Sequence, residues 1–137
     1  MNITIAPEQS IAAIQAVFQA EFPYLKLAFF TKPHAAFKGS AAKFLISDQQ
    51  KKLEELNPEL KGKGAIELLP VMPTWQVERL FETSFGLHVQ VFRKSGNTWL
   101  ETSVSDALTL EQQNAKGKGD EYIHQEFVDP IDYREQP

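Results

Sequence analysis

Three histidines are the first residues to consider for chemistry, because histidine is the side chain that most often transfers protons near neutral pH. They stand far apart in the chain, as His34, His88 and His124. None lies at a metal-ligand spacing from another, and no His-Glu-x-x-His pattern occurs. We therefore predict an exposed or structural role for each of them.

The chain contains no cysteine. This composition excludes disulfides, thiolate nucleophiles and cysteine-based metal sites. With only three scattered histidines as further nitrogen ligands, the side chains do not readily supply a tetrahedral zinc site. We expect no bound metal and no organic cofactor.

Two carboxylates occupy similar positions in the two halves of the chain, since Asp48 and Asp106 each follow a serine. Paired carboxylates can perform general acid–base catalysis when their environments differ. Each aspartate also precedes a predicted helix, and a carboxylate there stabilises the helix by about 0.3–1 kcal/mol. We favour this capping role. The alternative is a ligand pocket at the junction of the halves, with Asp48, Glu101 and Asp106 as candidate residues and Arg93 nearby.

Glycine patterns give little support for phosphate chemistry. No P-loop, Gly-x-Gly-x-x-Gly or Gly-x-Ser-x-Gly motif is present. The sequence Lys-Gly-Lys-Gly occurs twice, at 61–64 and 116–119, and such a stretch could hold an anion with backbone N–H groups and lysines. Neither stretch follows a predicted strand and opens a helix, so we interpret both as solvated turns at the ends of the two halves.

Aromatic and basic residues cluster in a predicted hairpin, where Phe92 and Trp99 lie on one face with Arg93 and Lys94 alongside. Such a cluster is typical of surfaces that stack nucleic-acid bases, and it also occurs where neighbouring strands support each other. The predicted face points away from the helices, and Phe30 takes the matching place in the first half. Exposed apolar patches of this kind usually mark contacts.

Three interpretations of this patch are open: contact with a partner, coverage by the C-terminal tail or by the 32–40 loop, and binding of a ligand or nucleic acid. The net charge of −4 argues against nucleic acid, whose binding depends largely on phosphate neutralisation. We favour partner contact through Phe30, Phe92, Arg93 and Trp99. A homodimer is the expected form, because most soluble oligomers are two-fold assemblies of one chain.

The composition is that of one globular domain, with 137 residues, 42% of them hydrophobic and 23% charged. The N-terminal residues lack a basic region followed by an apolar core, so we expect no signal peptide. No stretch approaches the roughly 18 consecutive apolar residues of a membrane span. We expect a cytoplasmic protein.

The two halves of the chain repeat each other about 63 residues apart. Ile5-Ala6-Pro7 recurs as Leu68-Leu69-Pro70, and the helical set Ile14, Val17, Phe18 and Phe22 recurs as Val77, Leu80, Phe81 and Phe85. The match in apolar spacing predicts that both halves adopt the same local structure.

Each half is predicted to read β-α-β-β-α. A strand at 2–6 is followed by a helix capped by Ser10 and stopped by Pro23, and the second helix begins at Pro73 or Thr74 and ends at Gly86. Predicted strands follow each helix, and a further strand at 42–46 matches the one at 100–104. Capping boxes at 47–50 and 109–112 open the last helix of each half.

The second-half hairpin is predicted to turn at Ser95-Gly96 or at Gly96-Asn97. Either turn leaves the same residues on each face, because only an odd-length loop would exchange the faces. The predicted core combines this hairpin with both helices: Ile14, Phe18, Phe22, Leu27, Val77, Phe81, Phe85, Val89, Val91, Leu100 and Val104.

The sequence therefore predicts an α+β fold with internally duplicated β-α-β-β-α units and an antiparallel-rich sheet that carries its helices on one face. Residues 1–119 form a single pseudo-symmetric domain, with one repeat at about 2–64 and the other at about 65–119. Residues 120–137 form an acidic, aromatic tail.

The segment from Phe85 to Asn97, continuing through 99–102 to Thr109-Leu110-Glu111-Gln112-Gln113-Asn114, resembles a group of small bacterial proteins with no assigned function. Residues 22–27 share the resemblance more weakly. It implies a bacterial cytosolic protein and offers no catalytic residues.

Together these observations predict a non-enzymatic binding or assembly module that uses its sheet face. The rival prediction is a small-molecule enzyme or sensor with its pocket at the junction of the halves.

Overall fold

The structure, a computed structural model, describes residues 1–33, 42–60, 62–102, 105 and 107–119. In order, the strands and α-helices are β1 (Asn2–Ile5), α1 (Ile11–Glu21), β2 (Leu25–Phe30), α2 (Leu53–Leu56), β3 (Gly64–Glu67), α3 (Thr74–Phe85), β4 (His88–Ser95), β5 (Thr98–Glu101) and α4 (Leu110–Lys118). A 3₁₀ helix spans Ala42–Phe44. The predictions for His34, Val104, Asp106, His124 and residues 120–137 lie outside the described residues.

The strands form two antiparallel sheets. β1 pairs with β3, and β2, β4 and β5 form a three-stranded sheet in the order β2-β4-β5. The α+β class with antiparallel pairing is confirmed. The expectation of one sheet is wrong, because among the described residues β1 and β3 pair with each other and not with the larger sheet, although both sheets contribute to the same core.

Local signals explain where the first long helix begins and ends. The Ser10 side chain accepts a hydrogen bond from the Ala13 N–H at 3.2 Å, which caps α1 as predicted. Ile11, Ile14 and Phe18 recur on one face and are buried. The helix ends before Pro23, which cannot continue it.

The other long helix, α3, starts directly after Pro73 and ends at Gly86. Gly86 adopts the left-handed conformation with φ of 63°, and its N–H bonds the Glu82 carbonyl at 2.8 Å. Val77 and Phe81 from its inner face are buried.

The helices pack on the odd-numbered face of β2 and β4, and the core fills the space between them. Of the predicted core, nine residues are buried: Ile14, Phe18, Phe22, Leu27, Val77, Phe81, Val89, Val91 and Leu100. Phe85 is only partly buried and packs against the edge of this cluster. The apolar spacing of the helices and strands thus predicted the core well.

Strand register pairs each of β1 and β2 with a strand of the second half. Ile3 of β1 lies opposite Ile66 of β3, and Ala28 of β2 lies opposite Gln90 of β4. These pairs are 63 and 62 positions apart, which are the offsets of the sequence repeat. β1 therefore pairs with β3, and β2 with β4, at the spacing of the sequence repeat.

Backbone hydrogen bonds at the starts of the helices also recur in the two halves. The Ile11 N–H donates to the Lys51 carbonyl and the Thr74 N–H to the Leu108 carbonyl, both at 2.9 Å. Likewise the Glu54 N–H donates to the Pro7 carbonyl and the Glu111 N–H to the Pro70 carbonyl, both at 3.0 Å. The local arrangement is repeated, whereas superposition of residues 2–57 on 65–115 as one duplicated unit stays a prediction.

The first half departs from the predicted pattern at two places. The predicted strand at 42–46 is a 3₁₀ helix with a single bridge between Leu45 and Phe30. One reason is that the Gln15 side chain already donates to the Leu27 carbonyl at 2.7 Å, which occupies part of the β2 edge. The predicted capping box at 47–50 is also wrong, because α2 begins only at Leu53, with Lys52 at the cap.

The second Lys-Gly-Lys-Gly stretch is not a turn, because residues 116–118 form the last turn of α4 and only Gly119 leaves the helix. Gly117 is required there by close packing, since a Cβ would lie 2.9 Å from both the Cβ and the carbonyl oxygen of Tyr24. The end of α4 is therefore held against the beginning of β2.

Phe81→Ala should lower the free energy of unfolding by about 3–5 kcal/mol, because it removes a large, fully buried side chain and leaves a cavity. Phe81 also packs edge-on against Phe29, with ring centroids 6.3 Å apart. The measurement is denaturant titration, with the partly exposed Phe44→Ala as the control for a smaller loss. A loss below about 1 kcal/mol for Phe81→Ala would show that the helix face is wrongly assigned.

Candidate binding surface

The turn of the β4–β5 hairpin decides which side chains meet on the outer face. Ser95 pairs with Thr98, so the two turn residues are Gly96 and Asn97. Gly96 has φ of 59°, a left-handed conformation that glycine adopts without strain. This turn is one of the two predicted, and it shifts the pairing by two positions relative to the other.

With this register, Trp99 lies opposite Lys94 and Phe92 lies opposite Glu101. On the other side of β4, Phe92 pairs with Lys26 of β2. Lys26, Phe92 and Glu101 thus form one row across three strands, next to the row of Lys94 and Trp99. We call these five residues, which are all partly exposed, the Trp99 face.

Two lysine ammonium groups lie over the Trp99 ring. The Nζ atom of Lys94 is 5.1 Å from the ring centroid and that of Lys26 is 5.5 Å from it. Each contact is within the range of a cation–π interaction, which contributes about 0.5–1 kcal/mol at exposed sites. The Trp99 ring therefore lies within a local concentration of positive charge.

Other side chains on the outer face of the sheet are buried within the chain. Ala28, Phe30 and Gln90 have 4%, 3% and 0% of their surface exposed. Phe30 is therefore covered within the chain, and it does not add to the accessible surface that the sequence suggested. His88, opposite Phe30 in the register, is partly exposed, and its Nδ1 lies 2.8 Å from Glu82 Oε1.

Arg93 lies on the other face of the sheet from Phe92 and Trp99. It is 5% exposed, and its Nη1 donates to Gln113 Oε1 at 2.8 Å. The Gln113 amide in turn donates to the Ser105 carbonyl at 2.9 Å. Arg93 thus helps to hold α4 on the sheet and is not a member of the outer surface.

The two described pocket candidates, Asp48 and Glu101, belong to different parts of the fold, the turn before α2 and strand β5. Asp48 is exposed and its Oδ1 accepts a hydrogen bond from the Gln50 N–H at 3.0 Å, which is a local turn. Glu101 lies in β5, and Asp106 is outside the described residues. Asp48 corresponds to Ser105, not to Asp106, because the carbonyls of Asp48 and Ser105 accept equivalent bonds from Lys51 and Leu108.

Two open grooves occur within the described part of the chain. One of about 470 Å³ lies at the end of α3 and includes Asn57, Lys63 and Gly86. The other, of about 390 Å³, follows the outer face of α3 past Trp75, Arg79 and Thr83. Asp48, Arg93 and Glu101 line neither groove.

One buried carboxylate was not expected from the sequence. Glu78 of α3 is 5% exposed, and its Oε2 accepts hydrogen bonds from the Val91 N–H at 2.9 Å and from the Gln90 amide at 3.0 Å. Glu78 thus supplies a hydrogen-bond acceptor for the backbone N–H of Val91, which lies just beyond the part of β4 that pairs with β5. Its counterpart 63 positions earlier is Gln15, which bonds the backbone of β2. The repeat offset was the signal that could have identified this pair.

Among the described residues, no group of three or more histidine, aspartate or glutamate side chains is arranged to hold a metal ion. In the same part of the chain, no helix has both the length and the apolar character needed to cross a membrane.

No family model, no curated protein and no solved structure matches this chain.

Trp99 fluorescence should be quenched more strongly by iodide than by caesium, because two ammonium groups lie close to the ring. The measurement uses Trp75→Phe, which leaves Trp99 as the only tryptophan. Neutral acrylamide controls for exposure of the ring. Each constant is divided by that of free N-acetyltryptophanamide, because iodide quenches free indole more efficiently than caesium does. Adding Lys26→Gln and Lys94→Gln should bring the two relative constants together, and equal relative constants before that change would contradict the arrangement.

Proposed function

We propose that this protein is a non-enzymatic binding and assembly module that engages a protein partner through the Trp99 face. The observation that carries the proposal is the position of Trp99 and Phe92, partly exposed on one sheet face with two lysines over the indole ring. Tryptophan is enriched among the residues that dominate binding energy at protein interfaces.

Burial of the remaining surface of these rings favours association. Fully burying a large apolar side chain is worth about 1.5–3 kcal/mol relative to full exposure, and the partly exposed rings retain a fraction of this. The lysines keep the free surface hydrated and add directional contacts for a partner that carries carboxylates.

The partner that we propose is a second copy of the same chain. The row Lys26–Phe92–Glu101 has a cation at one end, an aromatic ring in the middle and a carboxylate at the other end. Neighbouring strands are about 4.8 Å apart, so the charged ends are separated by about 10 Å. A two-fold axis parallel to the strands would place Phe92 against Phe92 and each Lys26 against the partner's Glu101, so this row is self-complementary in the manner of an isologous interface. The same axis brings the two copies of Lys94 near each other, and each would stay over its own Trp99 ring, as in the single chain.

Sedimentation velocity over a concentration series tests the proposal. We expect the wild-type chain to self-associate and Trp99→Glu to remain monomeric, because the substitution adds a charge to the buried centre of the interface. Trp75→Glu is the matched control, since it changes the other tryptophan in a groove on α3, and it should associate like the wild type. A wild type that stays monomeric at high micromolar concentration would end the self-association proposal.

Charge exchange tests the two-fold geometry. Lys26→Glu and Glu101→Lys should each weaken association, because each places like charges opposite one another at both ends of the interface. A mixture of the two variants should associate again, since the carboxylates of one chain would then face the ammonium groups of the other. Equal weakness of the mixture and the single variants would contradict this axis.

A further inference from the structure

The negative charge of this protein is concentrated in its last 18 residues. Residues 120–137 contain six acidic residues and one arginine, for a net charge of −5, whereas residues 1–119 contain 13 basic and 12 acidic residues, for a net charge of +1. The same segment carries three aromatic residues, Tyr122, Phe127 and Tyr133. Its chemistry is therefore complementary to a surface that presents lysines around an aromatic ring.

The described chain ends beside that surface. Gly119 caps α4, whose last turn packs Gly117 against Tyr24. The Tyr24 carbonyl accepts a hydrogen bond from the Lys94 N–H at 2.9 Å, which places the end of α4 at the same end of the sheet as Lys94. Trp99 lies opposite Lys94 in the register. The segment that follows Gly119 thus starts one sheet thickness away from the Trp99 face.

We propose that the C-terminal segment 120–137 docks on the Trp99 face of its own chain and thereby limits access of a second copy. This inference rests on the proposed function, because it assigns a regulatory occupant to the same surface. Carboxylates of the segment would lie near the ammonium groups of Lys26 and Lys94, and its aromatic rings would contact Trp99 and Phe92.

Chain length allows this arrangement without strain. An extended segment of 18 residues reaches about 60 Å, whereas passing from one face of a sheet to the other requires only about 10 Å. A short connection gives an effective concentration in the millimolar range, so even weak contacts within one chain are populated. If the segment occupies the face about 90% of the time, the apparent dimer dissociation constant rises about 100-fold, because both copies must be open.

The absence of cysteine from the chain makes a direct test possible. A single cysteine introduced as Gln125→Cys can carry a bimane fluorophore, which tryptophan quenches only at short range. The full-length labelled chain should be quenched, the quenching should be lost with Trp99→Phe, and it should persist with Trp75→Phe. It should also be independent of protein concentration and should weaken as salt is raised.

Neutralising the segment provides the matched functional readout. The combined substitutions Glu126→Gln, Asp129→Asn and Asp132→Asn should release the quenching and strengthen self-association in sedimentation. Thermal unfolding would check that this variant leaves the packing of residues 1–119 unchanged. Unchanged association despite released quenching would overturn the regulatory inference.

The remaining outcomes separate this inference from the proposed function. Quenching that increases with protein concentration would mean that the segment docks on another copy, which overturns docking within one chain. Absence of quenching, together with association that Trp99→Glu abolishes, would overturn the inference and leave the proposed function intact. Quenching by Trp99 in a chain that never associates would support docking of the segment and overturn the proposed self-association.

Discussion

The antiparallel pairing of β2 with β4 is the constraint on which the rest of the structure depends. Ala28 and Gln90 lie opposite each other near its centre. The odd-numbered residues of both strands lie on the face that carries the helices. The even-numbered residues lie on the opposite face, where Ala28, Phe30 and Gln90 are buried and Lys26, Phe92 and Lys94 are partly exposed. Since a slip of one residue would exchange these faces, this register fixes both the core and the chemistry of the outer surface.

The two long helices are tied to this pair of strands by polar contacts as well as by the core. Gln15 from α1 donates to the β2 backbone, and Glu78 from α3 accepts a bond from the β4 backbone. Each contact satisfies a backbone group where strand pairing does not continue, and an unsatisfied buried group of this kind costs about 1–3 kcal/mol. The helices therefore stabilise the sheet at its edges, and they lie on the face opposite the Trp99 face.

Charge distribution matters more for the proposed function than net charge. The overall charge of −4 is the sum of a net charge of +1 on residues 1–119 and a net charge of −5 on residues 120–137. Within residues 1–119, Lys26 and Lys94 both approach Trp99 because strand register brings them together from two neighbouring strands. A partner and the chain's own segment can use the same chemistry at this surface, which is why assembly and regulation are linked in the two proposals.

Sequence alone determined the parts of the structure that depend on local physics. The cap at Ser10, the left-handed end of α3 at Gly86 and the capping box at Thr109 follow from short-range hydrogen bonding and backbone preference. Helical and strand periodicity identified nine core residues, because burial of an apolar face is encoded in spacing. Parity of the hairpin likewise placed Phe92 and Trp99 together on the outer face.

Tertiary structure decided what depends on neighbours that are distant in the sequence. Arg93 was expected at the surface, whereas the packing of α4 on the sheet buries it in contact with Gln113. The Phe30 side chain, expected on an accessible face, is buried within the chain. Gln15 bonds the edge of β2, and the predicted strand at 42–46 pairs with β2 through a single bridge. The two lysines over Trp99 emerged only from strand register. The spacing of residues along the chain predicts which face of a helix or strand a side chain lies on. The side chains that it contacts there depend on the tertiary packing of elements that are distant in the sequence.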